Sequence, residues 1–256
     1  MRTAIWLVAG LVGVGAAAVA AGSEPVWAVL SSVAAVYLYW LVTKYVARRP
    51  APEIARAGAV GQWGRGSAVG AGFVLVSALV VTLLGGYSFS RSGEFLGVFV
   101  NAAIVSLVAA VTEELIFRGL LLQALEKWLG SWAALGITSA LFGLAHLSNP
   151  NGTLWSSSAI TVEAGLLLGA AFLWLRNIWF VAGIHWAWNT VVALLGIPVS
   201  GFASSGWFAV EVSGPELLTG GEFGLEASIV PVLLGLGITV VILRRRALAP
   251  AMSTTD

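Results

Sequence analysis

Among its 256 residues the chain has no cysteine. That absence excludes a disulfide framework, a thiolate metal site and a cysteine nucleophile. Charge is also scarce: only 10% of the residues are Asp, Glu, Lys or Arg, against 59% hydrophobic, and the mean hydropathy is +0.93. This balance lies outside the range of a soluble domain and indicates a polytopic membrane protein. The 13 basic and 12 acidic residues leave a formal net charge of +1, which offers no basis for nucleic-acid binding. The first partner is the lipid bilayer. Histidine occurs only twice, so where those two residues fall carries weight.

A bilayer-spanning helix needs about 20 mostly apolar residues. Eight windows approach this, near 4–22, 26–45, 68–85, 97–121, 131–148, 159–175, 178–196 and 228–243. Chain-breaking signals separate them: Gly22-Ser23-Glu24-Pro25, the stretch 50–66, Gly85-Gly86, Gly130-Ser131, Asn149-Pro150-Asn151-Gly152, Arg176-Asn177 and a Gly-rich loop over 198–227. The expected fold is all-α: one membrane bundle of about eight transmembrane helices over 1–256, with no soluble module and no internal repeat.

An even number of spans puts both termini on one side. Arg2, Lys44, Arg48, Arg49, Arg56, Arg65, Lys127, Arg176, Arg244, Arg245 and Arg246 then share that side, Arg91 alone lies opposite, and Arg118 falls within a span. Cytoplasmic loops carry the excess of Lys and Arg, so both termini are expected in the cytoplasm, with the chain in the plasma membrane of a prokaryotic cell. Arg2 and the apolar run after it, ending in small residues at 16–21, also fit a cleaved signal peptide; its removal would leave the remaining orientation unchanged. Trp40, Tyr45, Trp128 and Trp179 read as interfacial anchors, and Gly165 with Gly169 as a close-packing pair.

Against this apolar background a few polar side chains stand where lipid disfavours them. Each ionisable group near a bilayer centre costs roughly 2.5–3.5 kcal/mol on insertion scales, so a cluster points to function. In Val111-Thr112-Glu113-Glu114-Leu115-Ile116-Phe117-Arg118, residues turn about 100° each around a helix, so Glu114 and Arg118 share a face within ion-pair reach. Glu113 points elsewhere, with no partner on its own helix. A structural ion pair would need one carboxylate only; the second argues for chemistry.

His146 closes the run Phe142-Gly143-Leu144-Ala145-His146, with Phe142 one turn back. Glu113 precedes the Gly130 turn by 17 residues and His146 follows it by 16, so on antiparallel helices they lie about 25 and 24 Å from the turn, level with one another. One water could contact both. His185 and Asn189, four apart, share a face and form a plausible donor pair for an oxyanion, or else an interhelical clamp. Glu163 reads as a packing or pairing residue, and Asn151-Gly152-Thr153 as a chance match to a glycosylation acceptor.

Glu113-Glu114 with Arg118, Phe142 with His146, and His185 with Asn189, in that order on separate apolar helices, resemble the CPBP family. It comprises the CAAX prenyl endopeptidases of the second type and the bacteriocin-processing and related bacterial membrane proteins, often described as intramembrane metalloproteases. The resemblance covers about 97–196 and every motif position is intact. It implies an endopeptidase site between the fourth, fifth and seventh helices. There Glu113 and His146 would activate water, His185 and Asn189 would steady the oxyanion, and Glu114 with Arg118 would hold Glu113. The implied substrate is a hydrophobic peptide or protein, prenylated or otherwise lipidated in the eukaryotic branch, or a leader peptide in a bacterium. Zinc, if used, would take Glu113, His146 and His185 as ligands from three helices, since no His-Glu-x-x-His spacing occurs; the metal-free arrangement needs fewer assumptions. Two other classes remain open: a proton-coupled transporter using the same groups as a relay, against which the lack of an internal repeat argues, and a non-proteolytic membrane partner or immunity protein.

Overall fold

Apolar runs of this length have no water to satisfy their backbone groups, and each closes its own hydrogen bonds as a helix. The computed structural model describes residues 1–21 and 25–248; the expected break at Gly22-Ser23-Glu24 and the side chain of Arg246 lie outside the described residues. The elements are α1 (Arg2–Val19), α2 (Pro25–Val42), α3 (Ala59–Leu83), β1 (Tyr87–Arg91), α4 (Phe95–Glu114), α5 (Gln123–Ala145), α6 (Leu154–Ile160), α7 (Leu167–Leu175), α8 (Ile178–Leu194), β2 (Phe208–Val212), α9 (Glu216–Thr219) and α10 (Ile229–Leu248). Wider π-helical turns over Thr43–Ala47, Leu115–Leu122 and Thr161–Leu166 extend α2, follow α4 and join α6 to α7.

Five helical stretches among the described residues are long and apolar enough to cross a membrane, Arg2–Val19, Pro25–Ala47, Ala59–Leu83, Phe95–Ser148 and Leu154–Leu175, and the chain is a multi-pass integral membrane protein. This corrects the expectation of about eight spans, for local reasons. The windows at 97–121 and 131–148 fall in one helical stretch that bends at Gly130, whose φ of 80° and ψ of 167° turn the chain back on itself. Helix α8 has 17 residues, about 25 Å. Helix α10 carries Arg244, Arg245 and Arg246 near its end, which leaves an apolar part of only 229–243. The all-α expectation is corrected as well: β1 and β2 pair antiparallel, from Tyr87↔Val212 to Arg91↔Phe208.

Helix α3 starts at Ala59, inside the stretch expected to be a loop. Its glycines serve as contact residues: a Cβ on Gly66 or Gly70 would sit 2.0 or 2.2 Å from the carbonyl oxygens of Phe180 and Ile184 on α8, and one on Gly183 would sit 2.4 Å from that of Trp63. Small residues let the two backbones meet. Helix α8 is thereby seated with Asn177 at its start, where Oδ1 accepts the Phe180 N–H at 3.0 Å. Gly165 packs closely as expected, its Cβ position 2.9 Å from Cα of Ser139 on α5. Helix α1 packs into the bundle through Trp6, whose indole donates to Thr43 Oγ1 at 3.1 Å.

The two ends of the bundle differ. At one, Arg49 pairs with Glu53 at 2.8 Å and reaches Gln123 at 3.2 Å, Arg176 pairs with Glu126 at 2.6 Å, and the Trp179 indole donates to the Ala55 carbonyl at 2.9 Å. Burial alone would raise the Glu53 carboxyl, but hydrogen bonds from Arg49 and Tyr39 outweigh it and hold the group below the usual carboxylate range. The other end is covered by β1, β2 and the chain between α8 and α10, tied down by Trp155 Nε1 on the Ala227 carbonyl (2.7 Å) and Asn149 Nδ2 on the Ser200 carbonyl (3.0 Å).

Candidate active site

The last residues of α4 and the π-helical segment after it bring the first motif into the bundle. Glu114 is fully buried, and its Oε1 accepts Arg118 Nη1 at 2.9 Å, the pairing expected from the four-residue spacing. The same oxygen also meets His185 Nδ1 at 3.0 Å, a contact that spacing along one helix could not reveal. Arg118 spends its other amino group on the carbonyls of Ala164 (3.1 Å) and Gly165 (3.2 Å). Those carbonyls lie in the π-helical turn Thr161–Leu166, where the ordinary helical ladder is interrupted, so a buried guanidinium and off-ladder backbone acceptors satisfy one another. Wide turns of this kind recur at functional sites.

Glu113 has the opposite surroundings. Its side chain is 30% exposed and lines a cleft of about 660 Å³ that also touches His146, His185 and Asn189. Its Oε2 is the buried oxygen of that side chain and has no hydrogen-bond partner among the described residues; His185 Nε2 lies 3.9 Å from it, too long for a hydrogen bond. Three helices therefore deliver the motif residues to one cleft: α4 brings Glu113, the end of α5 brings His146, and α8 brings His185 and Asn189.

Acceptor chemistry fixes both imidazoles. The Phe142 carbonyl lies 2.7 Å from His146 Nδ1, and a carbonyl can only accept, so the proton sits on Nδ1 and the His146 Nε2 lone pair is free. At His185 the ion-paired Glu114 carboxylate likewise accepts from Nδ1, leaving Nε2 toward Glu113. Phe142 joins these groups: its ring lies 4.6 Å beneath the Arg118 guanidinium, 4.8 Å from the His146 ring and 6.1 Å from the His185 ring.

Two residues beside the site carry no motif. Glu226, in the Gly-rich loop over 198–227, is 6% exposed and lines a narrow cavity with His146, His185, Asn189 and Ser200. Its Oε2 accepts the Ser200 N–H at 2.5 Å and the Ser200 hydroxyl at 2.9 Å, which holds Ser200 at a φ of 48°. Burial pushes the Glu226 carboxyl up, against the opposing pull of those hydrogen bonds and of the nearby histidines. A lone glutamate in a Gly-rich loop gives no signal in sequence. Glu163, expected to pack or pair, packs against α10, where a Cβ on Gly235 would sit 2.9 Å from its Cα. Neither of its carboxyl oxygens has a hydrogen-bond partner among the described residues, so the pairing half of that expectation is not met.

Glu113, His146 and His185 are the donor types zinc would need, but among the described residues no three His, Asp or Glu side chains are grouped as the ligands of one ion. Residues 95–191, which contain every motif position, match the family model described as Type II CAAX prenyl endopeptidase Rce1-like. No curated protein and no solved structure matches the chain.

Proposed function

Because residues 95–191 belong to the CPBP family of type II CAAX prenyl endopeptidase-like proteins, we propose that this chain is an intramembrane endopeptidase whose general base is Glu113. The observation that carries the reading is the unpartnered Glu113 Oε2, facing His185 Nε2 across 3.9 Å in a cleft shared with His146 and Asn189. Glu114 and Arg118 are already paired with each other inside the bundle, whereas the Glu113 side chain opens on the cleft and has no ion pair on its own helix.

In this reading a water bound between Glu113 and His146 Nε2 gives a proton to Glu113, and its oxygen attacks the peptide carbonyl carbon. Charge moves to the carbonyl oxygen, where Asn189 Nδ2–H and His185 Nε2–H donate. His185 can donate from Nε2 only as an imidazolium, because its Nδ1 proton is already given to Glu114. Glu114 thus acts as counter-ion and orienter of His185, a different task from holding Glu113. Collapse of the intermediate breaks the C–N bond, and the departing amine takes the proton held by Glu113. Zinc held by Glu113, His146 and His185 would supply a water of lowered pKa; no step here is routed through it.

The family's substrate class makes a hydrophobic, lipid-anchored peptide the natural candidate. Purified protein should be assayed against a peptide library with and without chelator. Glu113→Gln is expected to lower cleavage by about 10²–10⁴, the range for loss of a general base, while the folded protein is retained. Full cleavage by that variant would remove the assignment, and loss of wild-type activity to chelator with recovery on zinc would replace the water-activation step.

A further inference from the structure

The cleft opens toward one end of the bundle. Along α4, Glu113 lies 18 residues from Phe95, about 27 Å, whereas the arm of α5 after Gly130 ends at Ala145, one residue before His146. Since α5 stops at the level of the site, α4 continues past it without that neighbour, and its Asn101, Val105 and Ser106 form one wall of the cleft. The chain after α8 forms the other wall, with Ser200, Phe202 and Ser205. Asn101, Phe202 and Ser205 are exposed, so the mouth lies at the end of the bundle that carries β1 and β2. A second large cavity, about 800 Å³, is lined by residues such as Val33, Trp40, Arg56 and Trp63 and by none of the motif side chains.

The opposite end holds the cations. Lys44, Arg48, Arg49, Arg56, Lys127 and Arg176 lie in the turns after α2, at the Gly130 bend and between α7 and α8, and three of those turns are tied together by the Arg49, Arg176 and Trp179 contacts. At the mouth end the only Lys or Arg among the described residues is Arg91, alongside Glu94, Glu211, Glu216 and Glu222. Lys and Arg in short loops mark the cytoplasmic side.

We infer that substrate reaches Glu113 from the extracytoplasmic face, through the cleft between α4 and the chain over 199–205, and that the substrate is a segment of a translocated peptide or protein. The occupant is an extended strand: Asn101 and Ser106 offer polar groups to its backbone between apolar Val98, Val105 and Phe202. The substrate part of this inference rests on the protease reading; the sidedness does not.

The absence of native cysteine makes the test direct. Single substitutions Asn101→Cys and Ser205→Cys at the mouth and Ala57→Cys at the basic end, all at exposed positions, are challenged with a membrane-impermeant thiol reagent in right-side-out vesicles. Labelling of residues 101 and 205 before permeabilisation, and of residue 57 only afterwards, is expected. The reverse pattern overturns the inference, as does failure of 101 and 205 to label even in detergent. A bulky adduct at 205 should then cause loss of cleavage that an adduct at 57 does not. Adding Glu113→Gln to each cysteine variant should leave its labelling pattern unchanged, so failure of the protease reading and failure of the sidedness register in different measurements.

Discussion

Glu113 and Glu114 are neighbours of identical chemistry in opposite surroundings. Each has one oxygen without a hydrogen-bond partner among the described residues, but Glu114 is fully buried and shares its other oxygen between Arg118 and His185, whereas the Glu113 side chain has no ion pair on its own helix and opens on the cleft. One helical step of about 100° separates an acid that has become structure from one that remains available. The Arg118→Ala change would leave Glu114 as a buried charge without its cation and strand the carbonyls of Ala164 and Gly165. A loss of about 3–5 kcal/mol in unfolding free energy is expected, read as a lower denaturation midpoint in detergent. Asn189→Ala should act on the reaction instead: loss of one oxyanion donor costs about 10²–10³ in kcat with KM little changed, measured by steady-state cleavage. A proportional rise in KM would assign Asn189 to ground-state binding.

At the scale of elements, the site depends on how α8 is seated. Gly66, Gly70 and Gly183 bring α3 and α8 into backbone contact, and His185 lies two residues beyond Gly183. Gly183→Ala places a Cβ 2.4 Å from the Trp63 carbonyl oxygen, well inside contact distance, and forces the helices apart. Such overpacking costs about 1–3 kcal/mol, and the His185–Glu114 bond should loosen with it, so both the thermal midpoint and kcat are expected to fall. Unchanged activity in this variant would mean that α8 is positioned by other contacts. Composition alone misread this region, because glycines near 58–66 look like loop formers until the partner helix is known. The π-helical turn Thr161–Leu166 had no signal either, since the carbonyls of Ala164 and Gly165 find their donor in Arg118, from a segment distant in the chain.

Across the whole molecule, a cation-rich end locked by ion pairs faces an end closed by two strands and a loop, with the cleft between them opening toward the second. The Arg49–Glu53 pair belongs to the first. Glu53 has its carboxyl pKa depressed in the folded state, so its contribution to stability is present above the unfolded value of about 4.3 and disappears as pH falls through the folded value. The thermal midpoint should therefore drop on acidification below about pH 4, and Glu53→Gln should be less stable at neutral pH yet lose less on acidification. Comparison with the variant isolates this group from Glu226, whose raised pKa acts with the opposite sign.

Scarce charge, the absence of cysteine and the three spaced motifs were enough to indicate a membrane chain, a resemblance to the CPBP family that the family-model match over 95–191 supports, and the residues that gather at one cleft, because helical periodicity relates residues four apart and a polar side chain in an apolar run is conspicuous by itself. Tertiary structure alone decided the length of the spans, the pairing of β1 with β2, the hold of Glu114 on His185, and the placing of Glu226 and Ser200 beside the site. Each of these depends on which segments, distant in the chain, come into contact, and that is settled by packing between helices, which local spacing does not encode.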